Sequence, residues 1–112
     1  MDDPAARWQS STEMLRGLDS AEAQANAWLL DQGRERWAGT VMARTSMASL
    51  LFQMPGQRVF VGRQVRVSWR DDVYEFQFLD PFLVTADRCF ATNAPAVLDA
   101  FLYQLAGEAA PE

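Results

Sequence analysis

The sequence predicts an α+β domain, with an N-terminal αα-hairpin, an antiparallel β-meander of four to five strands, and a C-terminal helix packed on one sheet face. Two observations support this prediction. Apolar residues recur with helical spacing in residues 4–33 and 94–106, whereas apolar and polar residues alternate in several runs between residues 37 and 90. Turn-forming Pro-Gly, Asp-Asp and Asp-Pro pairs separate these runs. The expected domain spans residues 1–107, and residues 108–112 are expected to form a frayed tail.

The first helix has recognisable start and stop signals. Asp2 or Asp3 can cap its N-terminus, Pro4 fits its first turn, and Gly17 is expected to end it. The predicted buried face consists of Trp8, Ser11, Thr12, Leu15 and Leu18.

The second helix is expected to begin at Asp19, because Glu22 follows three residues later as in a capping box. Gly33 is expected to end it, since glycine is common just after a helix. The predicted apolar stripe consists of Ala21, Ala25, Trp28 and Leu29.

Strand-like alternation begins after the second helix. Residues 37–44 predict a strand in which Gly39 could form a β-bulge. Residues 46–54 fit helical spacing as well as alternation. A strand is preferred there, because a type II turn at Pro55 and Gly56 would join it to the β-rich run at residues 58–61.

The most informative segment is QVRVSWRDDVYEFQFL, residues 64–79. If Asp71 and Asp72 form a two-residue turn, all the large apolar residues of both strands fall on one face of the sheet. A shift by one residue would divide them between the faces, so this register is strongly favoured. The predicted cross-strand pairs are Arg70 with Val73, Trp69 with Tyr74, Val67 with Phe76, and Val65 with Phe78.

The chain is then expected to turn over residues 80–82 and return as a last strand. This connection would place Val84 opposite Phe78 and Ala86 opposite Phe76, which keeps the apolar face continuous.

The C-terminal helix is the clearest of the three. Thr92 or Asn93 can cap it, Pro95 fits its first turn, and Gly107 is expected to end it. Its predicted apolar stripe consists of Val97, Leu98, Phe101, Leu102 and Leu105.

Charge is distributed unevenly along the chain, whose net charge is −5. Residues 34–70 contain seven arginines and one acid, whereas the two flanking regions are strongly acidic. All ten cations are arginine, which either a GC-rich genome or selection for bidentate partner recognition would explain. The chain has one cysteine, no recognisable signal peptide and no long apolar run, so we expect a cytoplasmic protein.

The residue types disfavour catalysis. The chain has no histidine, and its one cysteine, Cys89, is expected to be a small core residue, so Cys–His nucleophiles and Cys/His zinc sites are excluded. Carboxylates that could bind Mg²⁺ or Ca²⁺ cluster within residues 71–87, but most have turn positions that explain them. Glu75 and Asp87 are expected to face each other on the polar side of the sheet. We therefore expect neither a metal, nor a cofactor, nor an enzyme.

A nucleic-acid surface is one alternative function. It would use the central arginines, which can hold phosphates while neighbouring aromatic rings stack on bases. The aromatic residues of the hairpin lie on the opposite face from its arginines, and the acidic flanks weaken the positive field, so nucleic acid is the less favoured partner. The central arginines are Arg34, Arg36, Arg44, Arg58, Arg63, Arg66 and Arg70.

The preferred function is a non-catalytic protein-binding module. An exposed sheet face with arginines and acids suits specific polar recognition of one partner protein. The predicted partner-binding residues are Arg66, Arg70, Asp71, Asp72 and Glu75.

In size, acidity and plan the chain is similar to immunity proteins that neutralise toxins and to small acidic chaperones of secreted effectors. A phage-encoded inhibitor of a host defence would have the same general features, and no motif assigns the chain to any of these groups. A homo-oligomer built on the uncovered sheet face is the third alternative.

Overall fold

The computed structural model describes residues 3–57, 62–80 and 84–109. The elements are α1 (Pro4–Arg16), α2 (Ala21–Trp37), β1 (Met42–Ser46), β2 (Ser49–Gln53), β3 (Gln64–Arg70), β4 (Val73–Asp80), β5 (Val84–Ala91) and α3 (Ala94–Ala109). The five strands form one antiparallel sheet in the order β1-β2-β3-β4-β5. The predicted α+β class is therefore confirmed.

The three helices cover one side of the sheet, which is the inner face. Trp8 of α1 lies against Phe52, with ring centroids 5.6 Å apart, and its Nε1 donates to the carbonyl of Leu30 at 2.9 Å. Phe101 of α3 lies 5.7 Å from Phe76. These contacts tie every helix into one core. The buried inner-face residues of the sheet are Ala43, Leu50, Phe52, Val65, Val67, Tyr74, Phe76 and Phe78.

Tyr74 sits on the inner face with a polar group at its tip. Its hydroxyl donates to the carbonyl of Ala25 at 2.6 Å, and only 7% of the residue is exposed. Burial disfavours the charged phenolate and raises the pKa of Tyr74 to about 12.

Helix α1 largely follows its sequence signals. The Asp3 side chain accepts from the Ala5 N–H at 3.2 Å, and Gly17 is the C-terminal cap. Leu18 was expected on the buried face, but it lies beyond the last helical residue and is 39% exposed. Asp2 is outside the described residues. The buried residues of α1 are Trp8, Ser11, Thr12 and Leu15, as predicted.

The predicted start of α2 is wrong by one residue. Ser20, rather than Asp19, is the N-cap, and its hydroxyl accepts from the Ala23 N–H at 3.0 Å. Glu22 does not complete a capping box. Its carboxylate instead accepts from the backbone N–H of Trp69 at 3.0 Å, where β3 extends beyond its pairing with β2.

Gly33 does not end α2, which continues to Trp37. A Cβ atom at Gly33 would lie 3.1 Å from Leu98 and 3.4 Å from Trp8, so the missing side chain lets α1 and α3 approach the helix. Trp37 is anchored by a 2.7 Å hydrogen bond from its Nε1 to Asp99. Packing between helices, rather than the local glycine signal, sets the length of α2.

The strand predicted at residues 37–44 consequently starts later, at Met42. Residues 38–40 form a turn, in which Thr40 and Val41 donate their backbone N–H groups to the Trp37 carbonyl. Gly39 lies in this turn and forms no β-bulge.

The predicted apolar stripe of α2 is confirmed at Leu29, which is fully buried, and at Ala25, which packs partly buried against the core, but it is wrong at Ala21 and Trp28. Trp28 is 48% exposed and Ala21 is exposed, whereas Asn26 is fully buried and donates to the Ala48 carbonyl at 2.7 Å. A buried polar side chain with a partner is stable in the core, and periodicity of apolar residues alone does not reveal it. The buried residues of α2 are Ala23, Asn26, Ala27, Leu29, Leu30, Gly33 and Trp37.

The preferred strand within residues 46–54 is confirmed as β2, although Met47 and Ala48 form a turn between β1 and β2. Pro55 and Gly56 form the predicted turn, with φ of 88° at Gly56 and a 3.4 Å bond from the Gln57 N–H to the Met54 carbonyl. The strand partner of β2 is β3, and the run at 58–61 is outside the described residues.

The β3–β4 hairpin is confirmed in full. All four predicted pairs are present, and Asp71 and Asp72 form the two-residue turn with φ of 52° and 66°. Positive φ at both positions is the type I′ geometry that matches the twist of the strands, and aspartate tolerates it better than most residues.

The predicted register between β4 and β5 is wrong. Phe76 lies opposite Cys89, and Phe78 lies opposite Asp87, instead of Ala86 and Val84 respectively. A β-bulge between Phe78 and Leu79 shifts the pairing, so no two- or three-residue turn count from the sequence could give it.

Helix α3 begins after Asn93 and has Pro95 in its first turn, as predicted. It runs to Ala109, so Gly107 does not end it, and residues 108–109 of the predicted tail are helical. Residues 110–112 are outside the described residues. The predicted stripe is confirmed at the buried residues Leu98, Phe101, Leu102 and Leu105, with Val97 half-buried.

Candidate partner-binding surface

The outer face is the side of the sheet opposite the helices. It receives every second side chain of each strand, because successive residues of a strand point to opposite faces. On β3 these residues are Gln64, Arg66, Ser68 and Arg70, and on β4 they are Val73, Glu75, Gln77 and Leu79.

The five residues predicted from the sequence lie at the hairpin end of this face. Arg66 and Arg70 are exposed on β3, and Glu75 is half-buried on β4. Asp71 and Asp72 are exposed in the turn. The structure thus brings all five into one region, although they differ in their immediate neighbours.

An open cleft of about 430 Å³ occupies this region and is called the hairpin cleft. Three of the five predicted residues line it, whereas Arg66 and Asp72 lie outside the lining. The lining residues are Ser68, Trp69, Arg70, Asp71, Val73, Glu75 and Phe90.

Phe90 is the residue that the sequence prediction missed. It lies on β5 directly opposite Glu75 and is 64% exposed, although it is a large apolar side chain. The sequence could have indicated this outward position, because Phe90 directly follows Cys89. Neighbouring residues of a strand face opposite sides, so a core-facing Cys89 places Phe90 on the outer face.

The two ion pairs around the cleft differ in distance and in exposure to water. Arg88 of β5 lies 3.0 Å from Glu75, a contact that bridges β4 and β5 across the outer face. Arg70 and Asp71 are 3.8 Å apart with both side chains more than 90% exposed, so water screens their attraction.

The strand registers place three arginines in one line across the sheet. Directly paired residues point to the same face, and the line crosses all five strands. We call it the basic row, and it consists of Arg44, Leu51, Arg66, Gln77 and Arg88. Arginines on alternate strands are about 10 Å apart, because neighbouring strands are separated by about 4.8 Å.

The other end of the outer face is closed. Four outer-face residues there are no more than 4% exposed, in contrast to the open hairpin end. Leu51 in the basic row is also buried, at 5% exposed, and Arg44 is half-buried. The surface available to a partner therefore consists of the β3–β5 part of the row and the hairpin cleft. The four buried residues are Met42, Gln53, Gln64 and Leu79.

The seven central arginines do not form one patch. Arg34 contacts Asp31 at 3.0 Å, and Arg36 contacts Asp99 at 2.7 Å, both on the helical side. Arg63 lies 3.3 Å from Asp80, and Arg58 is outside the described residues. Of the six central arginines that the structure describes, Arg44, Arg66 and Arg70 share the outer face.

The clustered carboxylates do not assemble either. Glu75 lies opposite Phe90 and pairs with Arg88, so its predicted juxtaposition with Asp87 is wrong; the β-bulge moves Asp87 opposite Phe78. Within residues 3–57, 62–80 and 84–109, no group of three or more acidic or cysteine side chains could hold a metal ion.

Cys89 packs partly buried against the core, consistent with a small inner-face residue. Among the helices that the structure describes, none is long and apolar enough to cross a membrane.

Comparison with protein-family models, with curated proteins and with solved structures gives no match to this chain.

Proposed function

We propose that the protein is a non-catalytic binding module, an inhibitor or adaptor of the immunity-protein type that neutralises or escorts one partner protein. The observation that carries this proposal is the hairpin cleft, where an exposed Phe90 lies beside Glu75 and Arg70 on a face that the described helices leave open.

The composition of this surface supports protein recognition. Aromatic residues and arginine are enriched at protein interfaces, and a few such residues usually supply most of the binding energy. Phe90 can be buried by a partner, while Glu75 on the neighbouring strand and Arg66 on the strand beyond it can fix the orientation through charge. A surface with both signs of charge favours one complementary partner over general attraction to anions.

The test is a tagged pull-down from lysate of the source cells, with and without nuclease, read by mass spectrometry. The bait is compared with a double variant, Arg66→Glu with Glu75→Arg, which reverses both charges and leaves the net charge unchanged. The matched control is Gln32→Arg with Gln104→Glu, which changes two exposed helical positions with the same net charge.

A single protein at one-to-one stoichiometry, resistant to nuclease, retained by the control and lost by the double variant, is the expected result. Recovery that is equal for both double variants would overturn the outer face as the binding surface. A blank pull-down would overturn the binding-module proposal itself.

A nucleic-acid-binding domain is the second candidate, and one observation favours it. Phe90 places an aromatic ring on the same face as Arg66 and Arg88, which is the combination that single strands require. This candidate predicts binding to a random-sequence oligonucleotide that weakens steeply with salt. Affinity no tighter than millimolar would exclude it.

A homo-oligomer is tested separately. Light scattering of the purified chain at high concentration distinguishes a monomer from a dimer formed through the open face. A monomer would exclude this alternative.

A further inference from the structure

The two edges of the sheet differ in how the rest of the chain protects them. At the β1 edge, α1 packs against the strand. The Ser11 hydroxyl donates to the Ala43 carbonyl at 2.7 Å, and the Thr45 hydroxyl donates to the sulfur of Met14 at 3.2 Å. A helix that covers an edge strand keeps the backbone groups of that strand from pairing with another chain. The β1 edge is therefore closed.

At the other edge, backbone groups of β5 are bonded to side chains of β5 itself. Among the strands that the structure describes, β5 is last in the order, and its principal contacts are with β4. The Arg88 N–H donates to the Asp87 carboxylate at 2.8 Å, and the Cys89 thiol donates to the Phe90 carbonyl at 3.7 Å. Backbone groups of alternate residues point the same way in an antiparallel strand. Those of Arg88 and Phe90 therefore point away from β4, toward what we call the open edge.

We infer that the open edge of β5 pairs with the β5 strand of a second copy of this chain, in an antiparallel arrangement centred on Cys89. This inference goes beyond the proposed function and does not depend on it. The Arg88 N–H of one copy would exchange its bond to Asp87 for a bond to the Phe90 carbonyl of the other copy. Asp87 is exposed, so water can replace the lost bond at its carboxylate.

Symmetry restricts the register of such a pair. A two-fold axis perpendicular to the sheet keeps the inner faces of both copies on the same side, so residues that lie opposite each other must belong to the same face. Neighbouring residues of a strand point to opposite faces. The condition is therefore met only when the axis passes beside one residue, which then lies opposite its own copy.

Charge and strand length select that central residue among the residues of β5 whose side chains the structure describes. Centring on Asp87 or Arg88 would place like charges directly opposite each other, which is destabilising. Centring on Phe90 or a later residue would move the pairing beyond the end of β5. Centring on Cys89 avoids both problems, because residues 87–91 of the two copies then pair with one another.

This register also covers the exposed ring of Phe90. Arg88 of each copy would lie directly opposite Phe90 of the other copy, on the outer face. The aliphatic stem of Arg88 can pack beside the ring, which is 64% exposed in the single chain, while the guanidinium keeps its ion pair with Glu75. The outer faces of the two copies would form one continuous surface that carries both hairpin clefts.

The closing experiment measures the dissociation constant of self-association by sedimentation equilibrium, with the thiols kept reduced. Arg88→Pro removes the N–H at the open edge, where proline is tolerated because this group does not belong to the ladder with β4. The matched variant Arg88→Gln also loses the charge and the ion pair with Glu75, but it keeps the N–H. Circular dichroism checks that each variant is folded.

The wild type should dimerise at high protein concentration, since the paired segments form a small interface. Arg88→Pro should raise the dissociation constant roughly tenfold or more, because each copy loses one hydrogen bond to the other. Arg88→Gln should raise it less. A chain that stays monomeric up to about 1 mM protein would overturn the inference. A dimer that Arg88→Pro weakens no more than Arg88→Gln would also overturn it, since a dimer formed through the outer face does not use this N–H.

A second measurement tests the register in the unmodified chain and needs no proline variant. In the inferred register the two Cys89 residues form a non-hydrogen-bonded pair with Cα atoms about 4.5 Å apart, which is within the range of a disulfide. Diamide takes up the two thiol hydrogens and should convert the wild type into a disulfide-linked dimer, seen on a non-reducing gel. Cys89 is the only cysteine, so the link can form only there.

The control for this measurement is Cys89→Ser with Gln104→Cys, which moves the thiol to an exposed helical position. Its cross-linking reports random collisions, so it should be slower than that of the wild type at the same protein concentration, although Cys89 is only partly exposed. A wild type that cross-links no faster than the control would overturn the pairing centred on Cys89. The pull-down of the proposed partner protein is unaffected by either outcome.

Discussion

The inner and outer faces of the same five-stranded sheet are built from alternate residues of the same strands, yet at the hairpin end they differ in burial and in charge. On β4 the inner residues Tyr74, Phe76 and Phe78 are buried against helices, whereas Glu75 faces outward into an open cleft. The inner face is dry and aromatic, and it holds the helices to the sheet. At the hairpin end, the outer face carries arginines, acids and the exposed Phe90, whereas its other end is buried.

This contrast separates stability from recognition. Residues on the inner face have packing partners within the chain, so their identity is explained by the fold. Arg66 and Phe90 on the outer face contribute little that the fold requires, because exposed side chains away from the core change stability only slightly when replaced. The proposed partner would account for their presence on this face.

The largest expected effect compares two phenylalanines, one from each face. Phe76 is fully buried between the rings of Tyr74 and Phe101, so Phe76→Ala should lower the free energy of unfolding by about 3–5 kcal/mol. Phe90→Ala should lower it by no more than about 0.5 kcal/mol. Urea unfolding followed by tryptophan fluorescence measures both.

The same pair of variants can contradict the proposed difference between the two faces. If Phe90→Ala destabilised the chain as much as Phe76→Ala, Phe90 would have to be part of the core. Phe90 would then not be available to a partner.

The sequence was sufficient where local rules act alone. The β3–β4 register follows from Asp71 and Asp72, because a two-residue turn and a period of two leave only one arrangement with a single apolar face. Side-chain chemistry likewise predicted an aspartate cap for α1, although the choice between Asp2 and Asp3 came from the structure.

The sequence alone did not predict features that depend on contacts between distant segments, such as the end of α2 and the side chains that it buries. Gly33 has the chemistry of a helix end, but its role is to admit Leu98 and Trp8. Trp28 fits an apolar stripe, but it is exposed, and the polar side chain of Asn26 is buried instead, where it donates to the Ala48 carbonyl. Neither the approach of a second helix nor a buried amide is visible in a hydrophobic pattern.

The candidate surface was predictable only in part. Its five charged residues followed from alternation along the hairpin. The basic row required the registers of all five strands, and the β-bulge after Phe78 placed Arg88 in line with Gln77. A β-bulge depends on how the whole sheet twists, so the position of Arg88 opposite Gln77 emerged only from the folded chain. The outward position of Phe90 follows from alternation once Cys89 faces the core.

A smaller effect is expected in the pH dependence of the free energy of unfolding, through Tyr74 on the inner face. Burial raises the pKa of Tyr74 from its ordinary value near 10 to about 12, so the folded state retains this proton where the unfolded state loses it. The resulting stabilisation is complete below pH 10 and is lost as pH rises from 10 to 12. In this window the wild type should lose about 1.4 kcal/mol per pH unit relative to Tyr74→Phe.

Measured at pH 8, Tyr74→Phe should be about 0.5–1.5 kcal/mol less stable than wild type, because its hydrogen bond to Ala25 is missing. The difference should shrink and then reverse as the pH passes 10. A stability difference that stays constant up to pH 11 would show that the Tyr74 hydroxyl is in contact with water and that this part of the inner face is not dry.

The smallest expected effect concerns the ion pair between Arg88 and Glu75. The two side chains are 52% and 29% exposed, so water weakens their attraction, and a double-mutant cycle of Arg88→Gln and Glu75→Gln should give a coupling free energy of about 0.2–1 kcal/mol. The coupling should decrease further at high salt. A value above about 2 kcal/mol would mean that the pair is effectively buried, and the outer face would then resemble the inner one. A small value, combined with loss of partner binding in the same variants, would mean that these charges contribute more to recognition than to folding. The outer face would then serve recognition, whereas the inner face stabilises the fold.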